Sequence, residues 1–328
     1  MQELSIIMYH FVRELQYTRY PKIKGLLASE FKEQLRYIKK HYQFVTMKEC
    51  MEAIYSDDIK SMPPNSILLT FDDAYIDHYM TVFPVLEAEN IQGSFFPPAK
   101  AILNHEVLDV NKIHFLLACA DLDALLKDIN LSLNKYRSKF FLKDNDYYFL
   151  KLGHANRFDS KEVIFIKRLL QVELEESLRK IILDELFKKY VTNDEASFSR
   201  ELYMNEDQLR CMIRNGMYVG SHGYDHYFLN SLEAEKQEQE INLSLIFLEK
   251  IGSSTKNWAM CYPYGAYNDS LISILKKNNC KLGLTTKPGV AKLSRNNAFT
   301  LERFDTNDFP KTQADLHLNL LHQERFIA

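Results

Sequence analysis

The stretch LLTFDDAYIDH, residues 68–78, contains an apolar run that ends abruptly in two adjacent aspartates, Asp72 and Asp73. A short continuous apolar run of this kind is typical of a buried strand. An aspartate pair after a strand is often only a turn or a helix cap. The meaning of two neighbouring carboxylates therefore depends on what the rest of the chain brings to the same strand end.

Similar apolar runs recur along the chain and alternate with helical patterns, one of which begins at a Thr46–Glu49 capping box. Buried strands separated by helices indicate a parallel sheet covered on both faces, and seven or eight such units can close a barrel. We predict an α/β fold of the (β/α) barrel type, complete or incomplete, with a flat doubly wound sheet as the alternative. The predicted strands are 4–9, 67–71, 93–96, 217–221, 258–262, 282–285 and 299–304, with a weaker one near Phe44.

Residues 105–200 break this alternation, because their pattern is mostly helical and highly charged. The segment KEVIFIKRLLQVELEESLRKIILDELFKKYV, residues 161–191, shows a long helical periodicity. We predict a barrel formed by residues 1–104 and 201–328, interrupted by a helical insertion at 105–200. The insertion is either a lid or a contact between copies of the chain, or a helical subdomain that packs only on itself.

The composition excludes several classes of protein. Of the 328 residues, 46% are hydrophobic and 26% are charged, as in an ordinary globular protein. The net charge of −3 comes from 41 basic and 44 acidic residues that are well mixed, which argues against a nucleic acid partner. No segment approaches the roughly 20 apolar residues of a membrane helix. The five scattered cysteines and the short apolar run near the N-terminus predict reduced thiols and a cytoplasmic protein.

Two more predicted strand ends carry polar or turn-forming residues. His222 and His226 lie in GSHGYDH, residues 220–226, and PYG follows WAMCY at residues 263–265. In a barrel the carboxyl ends of all strands meet on one face, so these groups should lie near the aspartate pair. Gly223 lets the chain bend tightly between the two histidines. Two imidazoles and one carboxylate form a recurring ligand set for a catalytic divalent metal.

Two adjacent aspartates can then serve two purposes. One binds the metal, and the other stays ionised beside the cation and takes a proton from water. Either motif alone is common by chance, but their shared position at strand ends favours a metal site. Zinc suits two histidines and an aspartate, and cobalt, nickel or iron suit the same ligands. The remaining histidines are interpreted as surface or packing residues: His41, His78, His105, His114, His154 and His317.

At these places the chain resembles the polysaccharide deacetylase family, also called the NodB homology or carbohydrate esterase family four fold. TFDDAY, residues 70–75, resembles its TFDDG motif, and SHGYDH, residues 221–226, resembles its H-[ST]-x-x-H motif. CYPYGAYN, residues 261–268, resembles its R-x-P-Y-G motif. The resemblance covers the predicted barrel and leaves the insertion outside. It implies a (β/α) barrel that uses a divalent metal to hydrolyse N-acetyl groups of amino sugars.

The resemblance also implies roles for individual residues. Asp72 would be the general base, and the metal ligands would be Asp73, His222 and His226. The backbone N–H near Tyr264 would help to hold the oxyanion that forms at the amide carbonyl.

The leaving amine needs a proton, and here the chain departs from the usual pattern. Many members supply the proton from a histidine in a C-terminal L-x-H motif, for which the nearest match is Leu320-Leu321-His322, in a helical pattern. A branch resembling the poly-N-acetylglucosamine deacetylases has a Y-H pair after the first strand. IIMYH, residues 6–10, fits that arrangement and makes His10 the candidate acid. The alternative is a histidine that simply closes a strand.

The second departure lies in the third motif, where the arginine that would orient the catalytic aspartate is replaced by Cys261. A thiol cannot make the same charged hydrogen bond. Arg303, in TLERFDTND, could instead pair with Asp72, or it could form an ordinary surface ion pair. Asp305 in the same stretch is a weaker candidate.

These observations predict a metal-dependent hydrolase that removes an N-acetyl group from an amino sugar or glycan precursor in bacterial surface polysaccharide biosynthesis. The expected partner is an N-acetylated sugar substrate. One alternative is an amidase that acts on a small non-sugar amide. Another is a catalytically silent carbohydrate-binding module, against which Asp72 argues, because binding alone needs no base.

Overall fold

The computed structural model describes residues 2–56, 62–156 and 159–311. The chain divides into two compact units. The barrel unit comprises residues 1–14, 25–104 and 200–328, and the helical unit comprises residues 15–24 and 105–199. Residues 15–24, which the sequence assigns to the barrel, thus belong to the helical unit, and Arg200, which it assigns to the insertion, belongs to the barrel unit. His317 and the Leu320-Leu321-His322 candidate lie outside the described residues.

Nine strands are assigned within the described ranges, all of them in the barrel unit. They are β1 (Gln2–Tyr9), β2 (Gln43–Phe44), β3 (Ser66–Asp72), β4 (Gly93–Phe96), β5 (Tyr218–Val219), β6 (Trp258–Cys261), β7 (Cys280–Leu284), β8 (Ala291–Leu293) and β9 (Phe304–Asp305).

Seven of the nine strands form a closed circuit, whereas β2 pairs with β3 and β8 pairs antiparallel with β1 beside it. β1 pairs in parallel with β3, β3 with β4, and β4 with β5. A parallel bridge between Ser221 and Met260 joins the end of β5 to β6, which pairs in parallel with β7. A second parallel bridge, between Leu284 and Leu301, leads to β9, which returns in parallel to β1. The predicted (β/α) barrel is therefore confirmed, and the flat doubly wound sheet is wrong, because such a sheet would stay open.

Thirteen α-helices are assigned in the same ranges. They are α1 (Ala28–His41), α2 (Met47–Tyr55), α3 (Phe83–Ala88), α4 (Ala99–Asn104), α5 (Asp109–Cys119), α6 (Leu122–Phe140), α7 (Asn145–Leu152), α8 (Lys161–Arg168), α9 (Glu176–Tyr190), α10 (Glu195–Leu202), α11 (Glu206–Arg214), α12 (Ala234–Ile251) and α13 (Asp269–Lys277). α2 begins at the predicted capping box, in which the Thr46 Oγ1 accepts a hydrogen bond from the Glu49 backbone N–H.

β3 shows why the strands are continuously apolar. Every residue of β3 is buried, and successive side chains point to opposite faces of the sheet. Leu69 and Phe71 join one hydrophobic cluster, whereas Leu68 joins another. β1 divides in the same way, with Ile7 in the first cluster and Ile6 in the second. Each fully buried side chain of this kind contributes about 1.5–3 kcal/mol, which anchors the strands whose ends carry the polar groups.

The helical unit has a hydrophobic core of its own, formed by residues such as Ile113, Ile129 and Ile182. The periodic segment 161–191 is not one helix: α8 is followed by a π-helical turn, Leu169–Glu173, and α9 begins only at Glu176. The observed core agrees with a subdomain that packs on itself. A role as a lid or as a contact between copies stays a prediction.

Within the described part of the chain, no helix combines the length and the apolar character needed to cross a bilayer.

Candidate active site

The polar residues predicted at strand ends come together at one end of the barrel. Asp72 is the last residue of β3, Cys261 is the last residue of β6, and Arg303 directly precedes β9. His222 follows β5, next to the Ser221–Met260 bridge. Parallel strands place their carboxyl ends on the same face, so residues far apart in sequence contact each other here.

Asp72 is held by Arg303. The Arg303 Nη1 and Nη2 donate to the two oxygens of Asp72 at 3.0 and 2.8 Å. Arg303 also donates from Nε to the Thr285 carbonyl at 2.7 Å and from Nη1 to the Thr70 hydroxyl at 3.1 Å. Arg303 is only 1% exposed, so the alternative of a surface ion pair is wrong. Such two-point pairing fixes the plane of the carboxylate as well as its charge.

Cys261, which replaces the arginine of the third motif, also contacts Asp72. Its Sγ lies 3.3 Å from each carboxylate oxygen, within range of a weak S–H hydrogen bond. Burial raises the pKa of the Cys261 thiol, so the group is a neutral donor. Arg303 and Cys261 therefore both contact the carboxylate of Asp72, for which the resemblance predicts a single arginine in the third motif.

Burial by itself would raise the pKa of Asp72, because it disfavours the charged carboxylate. The charges of Arg303 and His222 and the hydrogen bonds from Arg303 outweigh this effect and lower the pKa to about 2. Asp72 is therefore ionised at neutral pH. The same pairing raises the pKa of Arg303.

Asp73 faces the two histidines. Its Oδ1 lies 3.5 Å from the His222 Nε2 and 3.3 Å from the His226 Nε2, and all three residues are buried. These separations exceed those of strong N–H···O bonds, and Oδ1 is among the buried side-chain atoms without a hydrogen-bond partner in the described residues. The other oxygen, Oδ2, accepts a hydrogen bond from the Tyr75 hydroxyl at 2.7 Å.

These three residues fit a divalent metal. The donor atoms all lie within 4.8 Å of one another. Tetrahedral bonds of about 2.0–2.1 Å place neighbouring ligand atoms about 3.3 Å apart, close to the separations found here. The His222 Nδ1–H donates to the Cys261 carbonyl at 2.7 Å, which leaves Nε2 as the metal-facing nitrogen. The Asp73 Oδ1, which has no hydrogen-bond partner in the described residues, would be the third ligand atom.

The neighbouring group of Asp72, His222 and Cys261 is equally compact but fits a cation less well. Both oxygens of Asp72 already accept hydrogen bonds from a buried guanidinium. The Cys261 thiol is protonated, and a metal needs the thiolate. The two adjacent carboxylates therefore differ in their surroundings. Asp72 faces the guanidinium of Arg303, whereas Asp73 faces the Nε2 atoms of both histidines.

The two histidines differ in charge. Burial lowers the pKa of His222, but Cys261, Asp73 and Asp72 outweigh it, and the net pKa lies well above the ordinary value. Burial dominates at His226 and lowers its pKa. Burial would raise the pKa of Asp73, but the two neighbouring imidazoles outweigh this effect and hold the pKa well below its ordinary value. His222 must release its proton before Nε2 can bind a metal.

The chain makes unusual turns at these residues. Asp73 and Ala74 have φ values of 71° and 55°, and His226 and Tyr264 have 56° and 58°, all in the left-handed region that non-glycine residues seldom adopt. The left-handed step directly after β3 lets adjacent carboxylates reach different partners. Such backbone conformations persist where the surrounding structure enforces them, and they cluster at functional sites.

Glu240 of α12 holds the loop between the histidines. It is buried, and its Oε2 accepts hydrogen bonds from the backbone N–H groups of Tyr224 and Asp225 at 3.2 and 2.9 Å. The Gly223 N–H donates to the Ser221 hydroxyl at 3.1 Å. The loop that carries the two metal-binding histidines is therefore held through its backbone N–H groups, which donate to the side chains of Glu240 and Ser221.

The remaining predicted residues lie around this centre. The ring of Tyr264 contacts that of His226 at 4.7 Å and stacks on Phe228 at 3.8 Å. The half-buried His10 follows β1 and contributes to lowering the pKa values of Asp72 and Asp73. Asp305 accepts a hydrogen bond from the Asn307 N–H, which makes it the cap of a short 3-10 turn. The roles of His10 and Tyr264 stay predictions.

Sequence reasoning missed several residues that support the site. Tyr75 lies within the TFDDAY motif, but nothing in the sequence indicates that its hydroxyl donates to Asp73. Glu240 had a detectable signal, because Gln237, Glu240 and Ser244 are polar residues at helical spacing on the face of α12 that is buried. His78 was interpreted as a surface or packing residue; its complete burial agrees with packing, but its hydrogen bond to the His10 carbonyl was not predicted.

Residues 186–283 match the family described as polysaccharide deacetylase. The predicted resemblance is confirmed. The matched segment includes both histidines of the site and the turn at residues 263–265, whereas the aspartate pair precedes it. Part of the polysaccharide deacetylase match, residues 186–199, falls in the helical unit.

Two relatives carry related names. YxkH of Bacillus subtilis, named as a polysaccharide deacetylase, is 20% identical over 290 residues, which are 88% of this chain and 66% of the relative. The poly-beta-1,6-N-acetyl-D-glucosamine N-deacetylase of Staphylococcus epidermidis is 26% identical over 64% of this chain and 65% of the relative. The chain thus spans slightly less than two thirds of the length of either polysaccharide deacetylase relative.

The fold is shared with solved structures. The deacetylase PplD of Streptococcus pyogenes, solved in complex with acetate, superposes with a TM-score of 0.55 at 18% identity, over 92% of each chain. At this identity the likeness establishes the fold alone.

Proposed function

We propose that this chain is a metal-dependent hydrolase that removes an N-acetyl group from an amino sugar or a glycan precursor. The observation that carries the proposal is the different environment of two adjacent carboxylates. Asp73 has a buried oxygen without a hydrogen-bond donor that faces two imidazoles, whereas Asp72 is held ionised by Arg303. A site that only bound sugar would need neither arrangement.

Asp73, His222 and His226 would hold the metal. A divalent cation there would supply Lewis acidity toward an amide carbonyl and make a nearby water more acidic. The protein orients these ligands through the Cys261 carbonyl, the Tyr75 hydroxyl and the Glu240 carboxylate.

Asp72 would accept the proton of the attacking water. The carboxylate retains acceptor capacity beyond the contacts with Arg303 and Cys261, because an ionised carboxylate offers about four acceptor sites and these two residues use about three of them. The strong pairing keeps Asp72 ionised but weakens it as a base, so its efficiency depends on being held beside the reacting water. Arg303 thus gains a positioning role toward Asp72.

His10 would donate a proton to the amine nitrogen as the C–N bond breaks. The backbone N–H near Tyr264 would stabilise the negative charge that develops on the carbonyl oxygen. Both roles rest on the placement of these residues at the carboxyl ends of β1 and β6.

The name of the Staphylococcus epidermidis relative supports a glycan substrate and a role in surface polysaccharide biosynthesis. The non-sugar amidase is the competing function, because the same groups would act on any accessible amide. A cytoplasmic location remains part of the proposal as well.

The test measures acetate released from N-acetylglucosamine oligomers, nucleotide-linked N-acetyl sugars and simple acetamides by protein loaded with zinc or cobalt. Metal-stripped protein and Asp72→Asn protein serve as controls. We expect acetate from at least one sugar substrate, and only from the metal-loaded wild type. Acetate from non-sugar amides alone would refute the sugar assignment. Sugar binding without acetate release would favour the silent module.

A further inference from the structure

The segment 10–13 leaves the carboxyl end of β1 and carries the candidate proton donor, His10. Residues Tyr75–His78 contact segment 10–13 at several points. The His78 Nε2–H donates to the His10 carbonyl at 2.8 Å. The Asp77 Oδ2 accepts from the Val12 N–H at 3.2 Å and from the Arg13 Nε at 2.6 Å.

Aromatic stacking adds a further contact between the same two segments. The rings of Phe11 and Tyr75 stack with centroids 3.8 Å apart. Tyr75 also donates to the Asp73 Oδ2, so one short segment touches both a metal-ligand candidate and the residue after His10. The contact with Asp73 is made by Tyr75, whereas the side-chain hydrogen bonds of Asp77 and His78 go to segment 10–13.

His78 is fully buried among the rings of Phe71, Tyr75 and Phe95, so its hydrogen bond to the His10 carbonyl is shielded from water. Its Nδ1 is one of the buried atoms without a hydrogen-bond partner in the described residues. The backbone carbonyl of His10 is thus the polar group that His78 serves. Asp77 is also buried, and removal of its charge would leave Arg13 without this partner.

We infer that His78 and Asp77 are positioning residues that set the location of the His10 imidazole through the backbone of segment 10–13. This inference rests on the proposed function and deepens it, because it names what aims the proton donor. Neither residue touches the substrate. Their effect is confined to the step in which the amine leaves and its nitrogen gains a proton.

The choice of leaving group separates this role from a purely structural one. An amide needs a proton on its nitrogen when the C–N bond breaks, whereas an aryl acetate releases a stable phenolate without one. Misplacing a catalytic group by about 1 Å can cost up to about 10²-fold in rate. A misplaced His10 should therefore slow acetamide hydrolysis and leave aryl acetate hydrolysis nearly intact.

The experiment compares kcat for an N-acetyl sugar and for p-nitrophenyl acetate in the metal-loaded full chain. We expect His78→Leu to lower kcat on the amide by about 10-fold or more and on the ester by less than about 2-fold. His78→Gln, which keeps an N–H donor, should recover part of the loss. His41→Leu, at an exposed histidine on α1, is the matched control and should change neither rate.

A double-mutant cycle with His10→Ala completes the test. Adding His78→Leu to His10→Ala should cost little more, because the donor is already absent. If His78→Leu does not fold, Asp77→Asn tests the same segment, since it keeps an acceptor for Val12 but loses the charge. Equal losses on both substrates, or additive losses in the cycle, would overturn the inference. A wild type that hydrolyses no amide would instead refute the proposed function, and the inference with it.

Discussion

The carboxylate of Asp72 and the guanidinium of Arg303 form a two-point ion pair between residues that lie 231 positions apart in the chain. Both residues are about 1% exposed. A buried pair of this kind adds little net stability over an apolar pair, but loss of one partner leaves an uncompensated charge. The pair therefore links the stability of the barrel to the integrity of its site.

We expect Arg303→Met to destabilise the protein by about 3–5 kcal/mol, because Asp72 would remain charged and buried without its partner. Urea unfolding followed by circular dichroism measures the change. The double variant Asp72→Asn/Arg303→Met should recover much of the lost stability. A double variant that is less stable than Arg303→Met would contradict this explanation.

Asp72→Asn and Asp73→Asn should differ in their effect on metal binding, although the two residues are neighbours. Asp72→Asn should keep its metal and lose turnover by about 10²-fold or more, since the amide cannot accept the proton from water. Asp73→Asn should bind metal poorly, because a charged ligand is lost. Elemental analysis and acetate release, measured on the same preparations, distinguish the two. Loss of metal from Asp72→Asn would show that the assignment of roles is reversed or shared.

Cys261 should matter for turnover more than for metal binding. Cys261→Ala removes the thiol beside Asp72 but keeps the backbone carbonyl that orients His222, so we expect a kcat loss of about 3- to 10-fold at unchanged metal affinity. Cys261→Ser should retain most activity, because its hydroxyl still donates. A thiolate-to-metal charge-transfer band in the cobalt-loaded wild type, absent in Cys261→Ala, would show instead that the thiol is a ligand.

Glu240→Ala should weaken metal binding by about 10- to 100-fold, the usual effect of losing a group that orients metal ligands. The loop N–H groups of Tyr224 and Asp225 would lose their buried acceptor. Glu240→Gln keeps one acceptor oxygen and should lose less. Gln239→Ala, an exposed neighbour on α12, is the control. Calorimetric titration with zinc measures the affinity, and equal affinities for Glu240→Ala and Gln239→Ala would rule out this role.

His78 should make the stability of the barrel depend on pH. Burial lowers the pKa of His78 to about 4, whereas a histidine in an unfolded chain takes up its proton near pH 6.5. Between these values the unfolded state binds more protons, so the free energy of unfolding should fall as the pH drops from about 6.5 to about 4. The contribution is about 3 kcal/mol, fully present above pH 6.5 and lost by pH 4.

The measurement compares urea unfolding of the wild type and His78→Leu across this range. The variant should be less stable at pH 7 but should show a shallower loss between pH 6.5 and pH 4. Parallel curves for the two proteins would mean that His78 does not stay neutral in the folded barrel.

The sequence by itself determined most of the barrel strands and the residues at their carboxyl ends. It missed β8, and the last predicted strand, 299–304, overlaps β9 only at Phe304. The other strands were predicted because strand burial leaves a local trace: residues 67–71 form a continuous apolar run, and their helical neighbours follow a different period. Once parallel strands are assigned, the meeting of Asp72, Asp73, His222 and His226 follows from topology rather than from detail. The thiol at position 261 was also visible as a departure from the third motif.

Only the tertiary structure decided what surrounds those residues. Cys261 contacts Asp72 alongside Arg303, Glu240 reaches over from α12 to the histidine loop, and His78 holds the His10 carbonyl. The sequence pattern also did not show that residues 15–24 belong to the helical unit. The physical reason is that these contacts join segments far apart in the chain. They depend on how the closed barrel aims each side chain, and no local pattern of polarity records that direction.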